Sequence, residues 1–269
     1  MNPTLVIERV SPHLARVWLN RPDVRNAFNE AVIAELTQAF GAFAADDALR
    51  AIVLGGKGKA FCAGADLSWM KQMAGYDWEQ NRADAQALAD MLWVIQRCPV
   101  PVVARIQGDC YAGGVGLAAV CDVRVAASGV TFCLSEARLG LLPATIGPYV
   151  VRAMGESASR RYFTTAERFS AAEAHRVGLV HEVAEAEALD AAVDTIVAAL
   201  VANGPRAVRA CKQLVLDLAG APITEALRAD TARRIADIRA SDEGKEGVRS
   251  FLDKRAPAWL ASAAQDGRP

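Results

Sequence analysis

The sequence predicts an α/β fold: repeated ββα-like units around an α/β core, followed by a helical C-terminal region. Two observations carry this. In the first half, short apolar runs suited to strands alternate with segments of helical period. After Pro143 the strand signal almost vanishes and helical faces take over. Leu5–Val10 and Leu14–Leu19 read as two strands about the turn Ser11-Pro12-His13, and Asn20-Arg21-Pro22-Asp23 breaks the pattern. A helix fits Asn29–Ala44, where Val32, Leu36, Phe40 and Phe43 recur on one side. Ala51–Leu54 suits a buried strand that stops at Gly55-Gly56. Asp84–Arg97 is helical and ends before Pro99; Val102–Ile106, Val123–Ala126 and Thr131–Cys133 are further strands. In the second half only Leu179–Val183 reads as a strand. Ser170 and Glu173 form a capping box, Gly178 is placed to end that helix, and further helices fit Arg206–Leu218, Ile223–Ala240 and Lys245–Leu252. The expected division is an α/β core over residues 1–200 and a helical, oligomer-forming region over 201–269.

Composition excludes several classes. The 269 residues are 52% hydrophobic and 23% charged, enough for a sizeable core and against general disorder. Thirty basic against 31 acidic residues give a net charge of −1, so no nucleic-acid partner is expected. No apolar run is long enough for a bilayer, and Met1-Asn2-Pro3-Thr4 does not resemble a signal peptide; the expected compartment is the cytoplasm. Six scattered cysteines without a CxxC pair read as reduced, largely buried thiols, and three histidines show no metal or triad spacing.

Three segments look unlike scaffold. Gly55–Leu67 follows a strand and is so poor in side chains that its backbone N–H groups are open to a ligand, although it does not match a P-loop. Gly108–Ala119 follows another strand and runs into a short helix, where bare N–H groups attract negative charge. Within it Gly114–Ala119 matches GxGxxA, with Glu136 20 residues after Gly116, the signature of a nicotinamide-dependent oxidoreductase. The next strand, at Val123, leaves too little chain for the crossover helix which that reading needs. In Ser135–Pro143, Glu136 stands among Phe132, Leu134, Leu139 and Leu141. A carboxyl in apolar surroundings can exchange protons near neutral pH; the plainer alternative is a surface Glu136 paired with Arg138.

Together these segments resemble the crotonase superfamily, the enoyl-CoA hydratase/isomerase family. The resemblance runs from Leu19-Asn20-Arg21-Pro22 and Arg25-Asn26-Ala27-Phe28 through Phe61–Leu67, Gly113-Gly114, Cys121–Ala126 and Ser135–Pro143. It continues to Ala174–Val180 and Phe251-Leu252-Asp253-Lys254-Arg255. It implies a ClpP/crotonase-like spiral of ββα units, a homotrimer or dimer of trimers, and an acyl-CoA thioester substrate. No metal or redox cofactor is implied, since coenzyme A enters with the substrate. By motif position, Ala65 and Gly113 donate the oxyanion-hole N–H groups and Glu136 handles the α-carbon proton. The implied CoA- and substrate-binding positions are Arg25, Ala63, Asp66, Leu67, Gly114, Tyr111, Phe251 and Lys254, the last often supplied by a neighbouring subunit.

Hydratases with two glutamates carry the first at the position of Gly116, so that carboxylate is absent. One glutamate suits a hydratase or a Δ3/Δ2-enoyl-CoA isomerase; a non-catalytic acyl-CoA-binding subunit is the rival from another class. The stretch Pro143–Tyr149, with Phe132–Glu136 and Ala65–Met70, is most similar to the methylglutaconyl-CoA hydratase-like branch. That branch implies a branched, carboxylated enoyl-CoA and a cation for its carboxylate, with Lys71, Arg82 and Arg138 in view.

Overall fold

The computed structural model describes residues 3 to 260. Its strands are β1 (Leu5–Ser11), β2 (Leu14–Leu19), β3 (Ala51–Gly56), β4 (Ala60–Cys62), β5 (Val102–Ile106), β6 (Asp109–Tyr111), β7 (Val123–Ala127), β8 (Thr131–Cys133), β9 (Arg168–Ser170) and β10 (Glu182–Ala184). Its helices are α1 (Glu30–Ala44), α2 (Leu67–Met73), α3 (Trp78–Arg97), α4 (Gly113–Ala119), α5 (Gly147–Thr165), α6 (Ala171–Arg176), α7 (Leu189–Ala202), α8 (Pro205–Leu218), α9 (Glu225–Ala240) and α10 (Asp242–Leu252).

The strands form two sheets. The larger runs β1-β2-β3-β5-β7-β10 and is parallel apart from the β1–β2 hairpin; the smaller runs β4-β6-β8-β9. From β3 to β8 successive strands alternate between the sheets, so β3, β5 and β7 each continue into a strand of the small sheet. This builds the expected spiral of ββα-like units. β3 is buried along its whole length, as a parallel strand covered on both faces must be. Asn29 caps α1 by accepting from the Val32 N–H, and Val32, Leu36, Phe40 and Phe43 are all buried.

Several expected boundaries move. The strand at Ala51 runs on to Gly56, because both glycines pair with Trp18 and Leu19 of β2. α3 starts at Trp78 rather than Asp84, set by a capping box of Asp77 and Gln80. The strand expected at Leu179–Val183 is Glu182–Ala184; Leu179 and Val180 are buried in the preceding turn. At Ser170 only half of the expected capping box forms. Its hydroxyl accepts from the Glu173 N–H, while the Glu173 carboxylate goes to Tyr162 and Arg176. The strands β4, β6 and β9 and the helix α5 had no place in the sequence reading. Between α4 and β7 lie only three residues, so no long crossover helix follows the GxGxxA match and a dinucleotide-binding unit is ruled out.

Of the C-terminal helices, α8 is fastened to the α/β core. The Lys212 ammonium, on α8, meets Asp122 at 2.7 Å, and Arg209 donates to the carbonyls of Asp46 and Leu49. Five cysteines are buried, and burial pushes Cys62 and Cys121 up to about 12; Cys211 is exposed. Among the described residues no helix is long and apolar enough to cross a membrane.

Candidate active site

β4, β6 and β8 are adjacent and parallel, so the chain leaves all three at the same edge of the small sheet. It leaves β4 into Ala63–Asp66, β6 into Ala112–Gly114 and β8 into Leu134–Glu136. The three segments singled out in the sequence therefore meet at the carboxyl ends of neighbouring strands, where open α/β sheets place their ligands.

The first two segments touch. Gly64 has φ +92°, and a Cβ on it would stand 2.9 Å from Ala112 Cβ and 3.8 Å from Gly113 N, so only glycine fits there. Ala112 itself has φ 48° and ψ −120°, a conformation that L-residues rarely adopt and that costs of order 1–3 kcal/mol. The strained residue is the N-cap of α4, which Gly113 opens.

The neighbouring amides are committed. Phe28 N–H donates to the Gly64 carbonyl (2.7 Å), Asp66 N–H to the Phe28 carbonyl (2.8 Å) and Ala112 N–H to the Cys133 carbonyl (2.8 Å). The N–H groups of Ala65 and Gly113 have no acceptor among the described residues. Two unspent donors on adjoining loops make an anion-stabilising site.

Glu136 opens a 3-10 turn, Glu136–Leu139, that Gly140 closes in the left-handed region. One carboxyl oxygen, Oε2, is buried without a hydrogen-bond partner among the described residues. Burial raises the carboxyl above the ordinary range, and a bond to its own backbone N–H offsets this only in part. Arg138 donates instead to the Ala166 carbonyl, so the surface-pair reading fails. The expected apolar setting needs correction too: Phe132 and Leu134 are buried, but Leu139 and Leu141 are exposed.

A cleft of about 700 Å³ is lined by Arg25, Ala63, Ala65, Asp66 and Leu67. Arg21, Glu30 and Trp69 line it as well, and the sequence reading gave none of them a role. Asp66 caps α2, accepting from the Ser68 and Trp69 N–H groups. Gly113 does not line this cleft; its N approaches Gly64, on the loop that carries Ala65. Gly114 is buried in α4, and Tyr111 turns its ring toward Arg168, whose guanidinium carbon lies 5.6 Å from the ring centre. Phe251 and Lys254 lie at the end of α10, and neither lines the cleft within one chain. Gly116 presses on Ile146: a Cβ there would stand 2.1 Å from Ile146 Cγ2.

The enoyl-CoA hydratase/isomerase family model matches residues 10–262. The chain is 33% identical over 259 residues to an enoyl-CoA hydratase of Mycobacterium tuberculosis, covering 95% of this chain and 96% of that one. It is 33% identical over 255 residues to the mevalonyl-coenzyme A hydratase of Aspergillus fumigatus, covering 94% and 93%. The crystal structure of an enoyl-CoA hydratase from Shewanella pealeana superposes with a TM-score of 0.91 at 39% identity, covering 95% of this chain and 96% of that one. With motif order, fold and strand-end site all in agreement, the chain belongs to the enoyl-CoA hydratase/isomerase family.

Proposed function

We propose that the protein is an enoyl-CoA hydratase that adds water across the 2,3-double bond of an acyl-CoA thioester. The carrying observation is the pair of uncommitted N–H groups, Ala65 and Gly113, on loops that leave the same sheet edge as Glu136. In this reading the thioester oxygen sits between the two donors. The Glu136 carboxylate takes a proton from water as its oxygen bonds to C3. The electron pair of the double bond moves into an enolate, whose charge rests on the thioester oxygen. Glu136 then returns the proton to C2, which restores the carboxylate. Loss of one such donor typically raises the barrier by about 3 kcal/mol. One carboxylate serves both transfers, which fits a site where Gly116 faces Ile146 rather than substrate.

The substrate is inferred to be a branched, carboxylated enoyl-CoA such as 3-methylglutaconyl-CoA. The motifs Phe132–Glu136 and Pro143–Tyr149 support this, as does a relative named for another branched acyl group, mevalonyl. A homotrimer or dimer of trimers in the cytoplasm completes the reading. The absence of a side chain at Gly116 also favours a second reading, a Δ3/Δ2-enoyl-CoA isomerase, because shifting a double bond needs one proton carrier and no water.

Absorbance of the conjugated thioester tests the readings. Hydration makes it fall with crotonyl-CoA or 3-methylglutaconyl-CoA. Isomerisation makes it rise with a 3-enoyl-CoA. Binding without either change identifies an acyl-CoA-binding subunit. Glu136→Gln lowers turnover by about a hundredfold or more, the scale of lost acid–base catalysis. Turnover near that of the natural protein in a folded sample would remove Glu136 from the mechanism.

A further inference from the structure

The loop 21–28 is joined to the loop that carries Ala65 at four places. Ala63 N–H donates to the Arg25 carbonyl (3.0 Å), Phe28 N–H to the Gly64 carbonyl and Asp66 N–H to the Phe28 carbonyl. The fourth tie is made by side chains. One Arg21 nitrogen donates to the Ala27 carbonyl at 2.6 Å, and the other meets Asp66 Oδ2 at 2.7 Å. The loop is rigid in its own right. Arg25 and Asn26 are both left-handed at φ 53° and 55°. Buried Asn26 accepts from the Arg21 N–H and donates to the Lys57 and Ala60 carbonyls at the two ends of the β3–β4 turn.

Asp66 has both oxygens in use. Oδ1 caps α2 and Oδ2 takes Arg21. Burial works to raise its carboxyl, but the Arg21 bond and the cap bonds together hold it below the ordinary range. Asp66 is thus a fixed anion one residue beyond the oxyanion donor, and Arg21 is the only cation that an ion pair places on it among the described residues.

We infer that Arg21 is a positioning residue: by clamping Asp66 to the Ala27 carbonyl it fixes the direction of the Ala65 N–H and couples the Arg25 side of the cleft to the thioester oxygen. The inference rests on the hydratase reading. Its physical content is that binding energy from remote parts of the substrate is transmitted through a stiff loop to the reacting carbon. A displacement near 1 Å at a reacting centre costs up to about a hundredfold in rate, so a loosened clamp acts on kcat before it acts on KM.

The test is Arg21→Met, with Arg21→Lys as the conservative variant. Arg21→Met is expected to lower kcat by about tenfold or more while KM for the CoA ester stays within about threefold. The red shift that a conjugated enoyl thioester shows when two donors polarise its carbonyl is expected to shrink in parallel. Arg21→Lys, which keeps one charged donor for Asp66, recovers part of both. The acid limb of the pH profile stays in place, because Arg21 and Asp66 carry no proton in the reaction. Asp66→Asn retains a cap acceptor and removes the ion pair, so it serves where Arg21→Met does not fold.

Natural kcat and red shift in a folded Arg21→Met protein overturn the inference. A raised KM with unchanged kcat also overturns it, since Arg21 would then bind substrate directly. Loss of folding in both variants would assign the pair to global stability instead. If the natural protein hydrates no enoyl-CoA, the hydratase reading fails by itself, while the red shift of the bound thioester still tests the clamp.

Discussion

Glu136 holds one carboxyl oxygen out of water with no bonding partner among the described residues, a stability cost that the proposed mechanism turns to use. Burial raises its pKa in the folded chain above the unfolded value. As pH rises the unfolded chain therefore gives up this proton first. The contribution of Glu136 to stability is complete below the unfolded pKa and is lost as pH passes through the folded one. Gln copies the protonated acid. Glu136→Gln should match the natural protein in melting temperature in acid and exceed it at neutral pH, while its turnover collapses. A lower melting temperature at neutral pH would contradict the buried, unpartnered setting. The same shift places the acid limb of kcat/KM for the natural protein above the ordinary Glu value of about 4.3. Gly116 gives a second residue-scale test. In an open helix Gly→Ala gains up to about 1 kcal/mol from propensity. Here the new Cβ would stand 2.1 Å from Ile146 Cγ2 and 2.5 Å from Ile146 Cβ, and overpacking typically costs about 1–3 kcal/mol. The clash wins, so Gly116→Ala is expected to destabilise in urea unfolding. Adding Ile146→Ala to it should destabilise less than the two changes summed. A stabilising Gly116→Ala would show that Ile146 yields freely. The same contact means that a glutamate at 116 has no room unless Ile146 is cut back first.

The Lys212–Asp122 ion pair ties α8 to the residue before β7, and that pair belongs to the element rather than to the site. The Lys212 side chain is only 6% exposed, and Asp122 Oδ2 takes both its ammonium and the Val102 N–H. Burial keeps the Asp122 carboxyl raised even with Lys212 beside it, a sign that desolvation is barely offset. Lys212→Met strands the carboxylate and is expected to cost about 3–5 kcal/mol in urea unfolding, with part regained when Asp122→Asn is added. A cost under about 1 kcal/mol would place the pair with ordinary surface bridges. The elements legible in the sequence are those whose signals are local. α1 shows its cap Asn29 and its buried face, and β2 its alternation. The three-residue strands β4, β6 and β9 carry no period of their own and exist through pairing with neighbours. The first turns of α3 escaped notice because they are exposed nearly all round; Asp77 and Gln80 were the available signal. α5 was hidden by Gly155, whose φ of 76° interrupts the helix. At the site, bare loops and an apolar-flanked Glu136 were visible. Arg21 and Ile146 were not, because their roles exist only in contacts with Asp66 and Gly116, 45 and 30 positions away.

The molecule presents apolar side chains on its C-terminal helices that no part of the described chain covers. Phe251 is 81% and Leu252 70% exposed at the end of α10, with Val248 on the same helix and Val215 on α8 also exposed. A run of large apolar groups on one region marks an interaction surface more often than scattered ones do, and the proposed trimer supplies the partner. Lys254 follows directly. Its backbone is left-handed, its N–H bonds the Phe251 carbonyl, and Arg255 behind it is pinned to Glu246 by two bonds. Phe251 and Lys254 thus move as one unit, and docking the first on a neighbour delivers the second. Phe251→Asp separates the possibilities. On a solvated helix face the change falls within about 0.5 kcal/mol and alters nothing else. At a subunit contact it buries an unpaired carboxylate, which typically costs several kcal/mol, and the assembly separates. The expected outcome is a fall in mass toward one chain in sedimentation. With it, KM should rise for CoA esters more than for pantetheine esters if the proposed roles hold, in which Lys254 meets the CoA phosphates and Ala65 and Gly113 meet the thioester. An unchanged mass with unchanged constants would place Phe251 in solvent and leave the CoA phosphates to Arg25.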